Sequence, residues 1–280
     1  MPELPEVETI VRGLQGALLG RTFTGVHVGW RNSIGTSPAE LIRDLPGQRI
    51  EALTRRGKYL LFSLSNKRTL LVHLKMSGDL LVERTATPRP PHVHTAFTLD
   101  NAHELRFKDP RKFGRVFFVR DPNDVVGHLG PEPLDPNFSP ERFKALFERR
   151  KGCLKALLLK QEFIAGIGNI YADESCFHAG ISPLRQVQTL NDVEIFRLYR
   201  AIRTVLKRGI MLKGASFDAV YRGGEFQKHF AVYGRTDEPC RACRTPVRRT
   251  IVGQRSTHYC PNCQRKAQQL PRPPKVRTTK

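Results

Sequence analysis

QEFIAGIGNIYADE, residues 161–174, reads as two helical segments meeting at a pair of glycines. Gly166 and Gly168 permit a tight turn, and a second helix is expected to begin at about Asn169. Backbone N–H groups exposed at such a turn and helix start can hold a phosphate. A glycine-turned helix hairpin is also a common architectural unit, so the flanking sequence has to decide between the two readings.

Working toward the N-terminus, the helical patterns CLKALLLKQEF and ERFKALFERR come first, with the basic run RRKGCLK (149–155) where they meet. Before them, the proline-rich GPEPLDPNFSP (130–140) interrupts every period and reads as an interdomain linker. Residues 22–120 change to short β-type runs, among them TFTGVHVGW, YLLFSLS, TLLVHL, GDLLVE, HTAFTL, ELRFK and GRVFFV. This pattern predicts a β-sandwich or barrel-like domain. Over residues 3–19, Val7, Ile10, Val11, Leu14 and Leu18 fall on one face of an amphipathic helix that anchors the chain end. On the C-terminal side, NDVEIFRLYRAIRTVLKRGI predicts a helix opening at Asn191 and closing near Gly209. Residues 214–236 are glycine-rich and irregular. PRPPKVRTTK (271–280) is a basic, proline-rich tail expected to be disordered.

The 280 residues suit two domains plus a small module. An apolar content of 39% and a mean hydropathy of −0.40 fit a globular protein. There is no long apolar run and no secretion-signal pattern, so the expected location is the cytoplasm, in bacterial terms with the nucleoid. The net charge of +21, from 47 Lys+Arg against 26 Asp+Glu, favours a polyanionic partner, of which nucleic acid is the commonest. A membrane surface is disfavoured, because no long basic amphipathic segment with aromatic anchors stands out. Residues 225–280 carry thirteen Lys/Arg against three acidic residues and should lie against phosphates.

Cys240, Cys243, Cys260 and Cys263 are spaced C-x2-C-x16-C-x2-C. Two C-x-x-C turns complete a tetrahedral shell for one Zn²⁺, and four thiolates leave no open position, so the ion would be structural. Between the pairs, RRTIVGQRSTHYC alternates like a β-hairpin turning near Gly253 and carries Arg248, Arg249 and Arg255. Cys153 and Cys176 stand alone in helical patterns and read as small buried apolar residues.

The chain opens MPELPEVE. Trimming Met1 would leave Pro2 with a free secondary amine, and an α-amine titrates near about 8 against about 10.4 for lysine. Such an amine can attack a sugar aldehyde carbon to give an iminium ion, a strong electron sink. Glu3 and Glu6 stand beside it, placed to move protons.

Together, MPELPEVE, RRGKYLLF (55–62), HLKMSG (73–78), DPRKFG (109–114), QEFIAGIGNIYADE and the cysteine module resemble, in order, the formamidopyrimidine-DNA glycosylase family. The resemblance implies an α+β protein: a catalytic helix plus β-sandwich domain (1–131), a helix–two-turn–helix DNA-binding domain (132–224), a four-cysteine β-hairpin zinc finger (225–268) and a tail (269–280). It implies a monomeric bifunctional DNA glycosylase and abasic-site lyase acting on oxidised purines in double-stranded DNA. Pro2 would be the nucleophile, Glu3 the acid at the sugar ring oxygen, and Glu6 a residue orienting the amine or assisting with base contacts. Lys58 and Arg255 would serve at the lesion phosphates, Asn169 would contact a phosphate, and Glu174 would order its helix. Met76, Arg111 and Phe113 map onto the trio that fills the space of an extruded base. His92, Arg150 and Lys155 map onto DNA contacts, and His73 is a supporting or purely structural histidine.

Three departures stand out. The base-capping loop, here GASFDAVYRGGEFQ (214–227), is shortened; Val93 replaces an aspartate; and Lys75 stands where glycine is usual. Two other readings share much of the pattern. An endonuclease VIII-like enzyme for oxidised pyrimidines would typically begin PEGPE. A non-catalytic zinc-ribbon DNA-binding protein would leave Pro2, Glu3 and Lys58 unexplained.

Overall fold

The computed structural model describes residues 1–216 and 223–264; the basic tail, and residues 217–222 of the shortened loop, lie outside them. Helix α1 (Leu4–Leu18) follows from the apolar period, burying Val7, Val11, Leu14 and Leu18. Strands β1 (Phe23–Val28), β2 (Ile50–Arg56), β3 (Tyr59–Leu64), β4 (Thr69–His73), β5 (Asp79–Arg84), β6 (Val93–Leu99), β7 (His103–Lys108) and β8 (Arg115–Val119) follow, with α2 (Pro38–Asp44) between β1 and β2. They form two four-stranded antiparallel sheets, ordered β1-β6-β7-β5 and β2-β3-β4-β8.

The sheets share one core. Phe23, Phe97, Leu105 and Phe107 of the first sheet meet Leu53, Phe62, Leu70 and Phe118 of the second, and the apolar face of α1 packs into the same cluster. Fully burying side chains of this size contributes about 1.5–3 kcal/mol each. Two elements escaped the strand pattern. In β2, charged Glu51, Arg55 and Arg56 mask the buried Ile50 and Leu53. Helix α2 is started by Pro38 and by Ser37, whose hydroxyl accepts the Glu40 N–H at 3.2 Å.

After the short α3 (Asn123–Val126), the proline-rich stretch is strapped down at both ends. Glu132 accepts from Arg55 (2.8 Å), Arg56 (3.1 Å) and the Gly57 N–H (2.5 Å), while Leu134 and Phe138 pack on a second core. That core is helical, from α4 (Pro140–Ala145), α5 (Leu154–Leu158), α6 (Asn169–Ala179) and α7 (Asp192–Met211). Helix α7 opens with a capping box, the Asn191 side chain accepting from Glu194 N and Glu194 from Asn191 N. It runs two residues past Gly209, where it was expected to close. There a Cβ would meet the Tyr171 ring at 2.7 Å, so the glycine serves packing and not termination.

Leu4 belongs to the helical core, whereas Val7 onward belongs to the sandwich core. The first turn of α1 is therefore clamped between the two. Last comes a hairpin, β9 (Arg248–Val252) and β10 (Arg255–Tyr259), turned by Gly253 and Gln254 at φ 53° and 61°, as a two-residue hairpin turn requires.

Candidate active site

The clamped chain end opens into a cavity of about 510 Å³. Its lining brings together seven of the residues singled out in the sequence: Pro2, Glu3, Glu6, Lys58, Met76, Asn169 and Arg255. Glu3 is buried, and its carboxylate lies at the start of α6, accepting from the backbone N–H groups of Gly168 (2.7 Å), Ile170 (3.0 Å) and Tyr171 (3.4 Å). The positive end of a helix holds a carboxylate well. A Cβ on Gly168 would lie 2.4 Å from the Glu3 carboxyl carbon, so only glycine admits this approach. The glycine turn was expected to offer these N–H groups to a phosphate; three of them hold Glu3 instead. The Asn169 side chain still faces the cavity.

Glu6, also buried, accepts from its own first turn and from a distant loop: Glu3 N (2.8 Å), the Tyr171 hydroxyl (2.7 Å) and Ala215 N (2.8 Å). Burial, and then the neighbouring Glu3 charge, push its pKa up. Lys58 is aimed inward by the Gly57 turn (φ 56°) that Glu132 clasps, and its Nζ donates to the Ile167 carbonyl at 2.9 Å. Burial lowers the Lys58 pKa. The Met1 amine, which ends the untrimmed chain in this cavity, is lowered too, chiefly by burial. Glu3 and Glu6 oppose that shift, while Lys58 and Arg255 add to it.

Three residues in and around the cavity have contacts that no sequence pattern predicts. Gln161 donates to the same Ile167 carbonyl (2.8 Å), Tyr171 holds Glu6, and the Tyr233 hydroxyl lies 3.5 Å from the Asn169 amide nitrogen. His73 also lines the cavity, buried with its Nδ1 accepting the Lys75 N–H at 3.0 Å, and burial drives its pKa to about 3, so its ring is neutral. Lys75 takes φ 53°, the left-handed region that explains why glycine would be usual there.

Outside the cavity, Phe113 is 47% exposed, with the Arg111 guanidinium 4.9 Å from its ring centre. His92 is exposed on the adjoining β5–β6 connection, and Arg150 is exposed on a separate basic loop with Arg149 and Lys151.

Lys155 is a correction. Expected as a DNA contact, its side chain is 0% exposed, paired with Asp173 at 2.7 Å and donating to the Ser256 carbonyl at 2.6 Å. Asp173 also accepts the His258 N–H at 2.9 Å. The pair bolts β10 onto the helical core, and β10 begins with Arg255. Glu174, expected to order its helix, instead ties that helix to a distant segment, its carboxylate accepting from Ala231, Val232 and Tyr233 N–H groups, each at 2.9 Å.

The sulfurs of Cys240, Cys243, Cys260 and Cys263 lie within 4.8 Å of one another. Four thiols converging on one point fit a structural Zn²⁺ that they would hold as thiolates. Cys176 is buried as expected, and Cys153 is half-buried against the Pro183 carbonyl. Among the described residues, no helix is long and apolar enough to cross a membrane.

Three family models match the chain. They are the Formamidopyrimidine-DNA glycosylase N-terminal domain over residues 1–116, the Formamidopyrimidine-DNA glycosylase H2TH domain over 129–220, and the zinc finger found in FPG and IleRS over 237–265. A formamidopyrimidine-DNA glycosylase of Herpetosiphon aurantiacus is 46% identical over 273 residues, covering 94% of this chain and 100% of its own. Among solved structures, MutM in complex with carbocyclic 8-oxo-G containing DNA superposes with a TM-score of 0.89 at 32% identity, over 95% of this chain and 100% of its own. The complex between Lactococcus lactis Fpg and DNA containing an abasic site gives 0.88 at 31% identity, over 94% and 100%.

Proposed function

The chain belongs to the formamidopyrimidine-DNA glycosylase family, and from that premise we propose that Pro2, once Met1 is removed, supplies the nucleophile for excising oxidised purines. It is a DNA glycosylase of base excision repair, and abasic-site lyase activity is known for its family. One observation carries the assignment of roles: the clamped chain end shares a cavity with a buried carboxylate, a buried ammonium and an arginine from another module.

In the proposed sequence, the Pro2 nitrogen bonds to C1′ of the extruded nucleotide as the glycosidic bond breaks and the damaged base departs. Glu3 protonates the ring oxygen, the sugar opens, and the nitrogen–C1′ bond becomes an iminium. The iminium acidifies the C2′ proton, whose loss expels the 3′ phosphate. A second elimination expels the 5′ phosphate. Lys58 serves the first elimination, Arg255 the second, and Asn169 holds a phosphate. Glu6 orients the amine. Met76, Arg111 and Phe113 enter the space vacated in the stack, which offsets part of the few kcal/mol that unstacking costs. His92 and Arg150 contact the duplex outside the cavity. The enzyme works as a monomer in the cytoplasm, on nucleoid DNA.

Three outcomes follow. Excision should be faster on duplexes with 8-oxoguanine opposite cytosine than on duplexes with thymine glycol; the reverse order would move the chain to a pyrimidine-specific role. Glu3→Gln should slow single-turnover excision by roughly 10²- to 10⁴-fold, the range for a lost general acid, with the folded structure retained by circular dichroism. Burial lowers the Met1 amine below its ordinary 8.0, and the Pro2 amine that trimming frees lies in the same cavity, so burial should likewise bring its free base to lower pH than for an exposed amine. Borohydride trapping should therefore rise with pH through a midpoint below 8, and a midpoint above 8 would contradict the buried amine.

A further inference from the structure

We infer that Asp109 is the positioning residue for base extrusion, because its buried carboxylate ties the loop carrying Met76 to the loop carrying Arg111 and Phe113. The inference rests on the proposed void-filling role of that trio. Asp109 itself is 1% exposed and does not line the cavity. Its Oδ1 accepts the Ser77 hydroxyl at 2.5 Å and the Arg111 N–H at 3.3 Å, and its Oδ2 accepts the Gly114 N–H at 2.6 Å. The Ser77 hydroxyl oxygen also accepts the Arg111 N–H, at 3.3 Å. Its main chain reaches a third segment: Asp109 N donates to the His92 carbonyl at 2.9 Å, and its own carbonyl lies 2.9 Å from His94 Nε2. Every polar atom of one residue is thus spent on the three segments that carry Met76, His92 and the Arg111–Phe113 pair.

A second observation marks the same loops. Each holds a non-glycine residue in the left-handed region: Lys75 at φ 53°, His92 at 72° and Lys112 at 60°. Such backbone persists only where its surroundings over-determine it, and it gathers at functional sites. Phe107 supplies the floor beneath two of the loops. A Cβ on Gly78 would meet its ring at 2.9 Å, and a Cβ on Gly114 would meet it at 2.3 Å. Asp109 and Phe107 together leave the trio one relative placement.

Asp109→Asn keeps the size but turns an amide N–H₂ toward one of the donors, and Ser77→Ala removes the hydroxyl that bonds Asp109 and the Arg111 N–H. Three readouts on the full chain separate positioning from mere stability. One is the fluorescence of 2-aminopurine placed beside 8-oxoguanine in a duplex, which reports stack opening without chemistry. Another is single-turnover excision from that duplex. The third is borohydride trapping on single-stranded abasic DNA, which needs no unstacking. The expected result is at least a 10-fold loss of duplex excision and a matching loss of the fluorescence change for Asp109→Asn, with trapping within twofold of the unaltered chain. Ser77→Ala should show the same pattern with a smaller loss, and Asp109→Asn should cost little more when added to Phe113→Ala. Equal losses in all three assays, no loss in any, or losses that multiply with Phe113→Ala would overturn the inference. If Phe113→Ala alone left stack opening intact, the void-filling role and this inference would fall together. A failure of Asp109→Asn alone would leave that role standing.

Discussion

A chain extended by two residues ahead of Pro2 should excise 8-oxoguanine at least about 10⁴-fold more slowly than the processed chain, while binding the lesion duplex with similar affinity. The magnitude is that of losing a covalent nucleophile from a set of groups acting as a unit. The extension converts the Pro2 nitrogen into an amide, which has no basic lone pair to offer C1′. It also carries the new α-amine away by up to about 3.5 Å per residue. The cavity is shaped around the chain end, since Leu4 N donates to the Gly166 carbonyl at 3.0 Å and Glu3 and Glu6 are both held by other elements. The extended end therefore cannot slide back to present its amine at the same place. Lys58 offers a second amine in the cavity, but it is donating to the Ile167 carbonyl. Single-turnover excision and a binding titration on the same preparation check the prediction. Full-rate excision by the extended chain would contradict the assignment of the nucleophile.

Lys155→Ala should destabilise the fold by about 3–5 kcal/mol, the cost of removing one partner from a buried ion pair. The substitution leaves the Asp173 carboxylate without its cation and the Ser256 carbonyl without its donor, in a place where both are out of water. Since Ser256 follows Arg255 on β10, the loss should also loosen the arginine at the cavity mouth. Denaturant unfolding measures the first effect. The salt dependence of DNA binding separates it from a phosphate contact: Arg150→Ala should lower the slope by about 0.9, as one lost phosphate contact does. Lys155→Ala, compared under conditions where it is folded, should leave the slope unchanged. A stability change below about 1 kcal/mol together with a reduced slope would return Lys155 to the DNA surface.

How much of this was legible depended on how local the cause is. The α1 face, most strands, the α7 start at Asn191 and the cysteine spacing are set by neighbours within a turn or a hairpin, and the sequence pattern carries them. Strand β2 was hidden because only Ile50 and Leu53 are buried and three of its seven residues are charged. The holding of Glu3 at the start of α6 joins residues 165 positions apart, and no periodicity reports such a pairing. Lys155 sits in a basic run that maps onto a DNA contact, and only the approach of β10 and Asp173 takes it out of water. Gly209 looked like a terminator because glycine commonly ends helices, but here it makes room for Tyr171. Motif resemblance collected the chemistry-bearing residues of the cavity. Gln161 and Tyr171 lie within the glycine-turn motif and Tyr233 outside every motif, but their contacts to the Ile167 carbonyl, Glu6 and Asn169 emerge only from the packing.

Reducing the reaction of the mature enzyme with an 8-oxoguanine duplex by borohydride, then digesting it and weighing the peptides, interrogates the chemistry at a single atom. The sugar remnant should be found on a peptide that begins at Pro2 and lacks Met1. Finding it on Lys58, or recovering active protein whose first peptide still begins with Met1, would contradict the account.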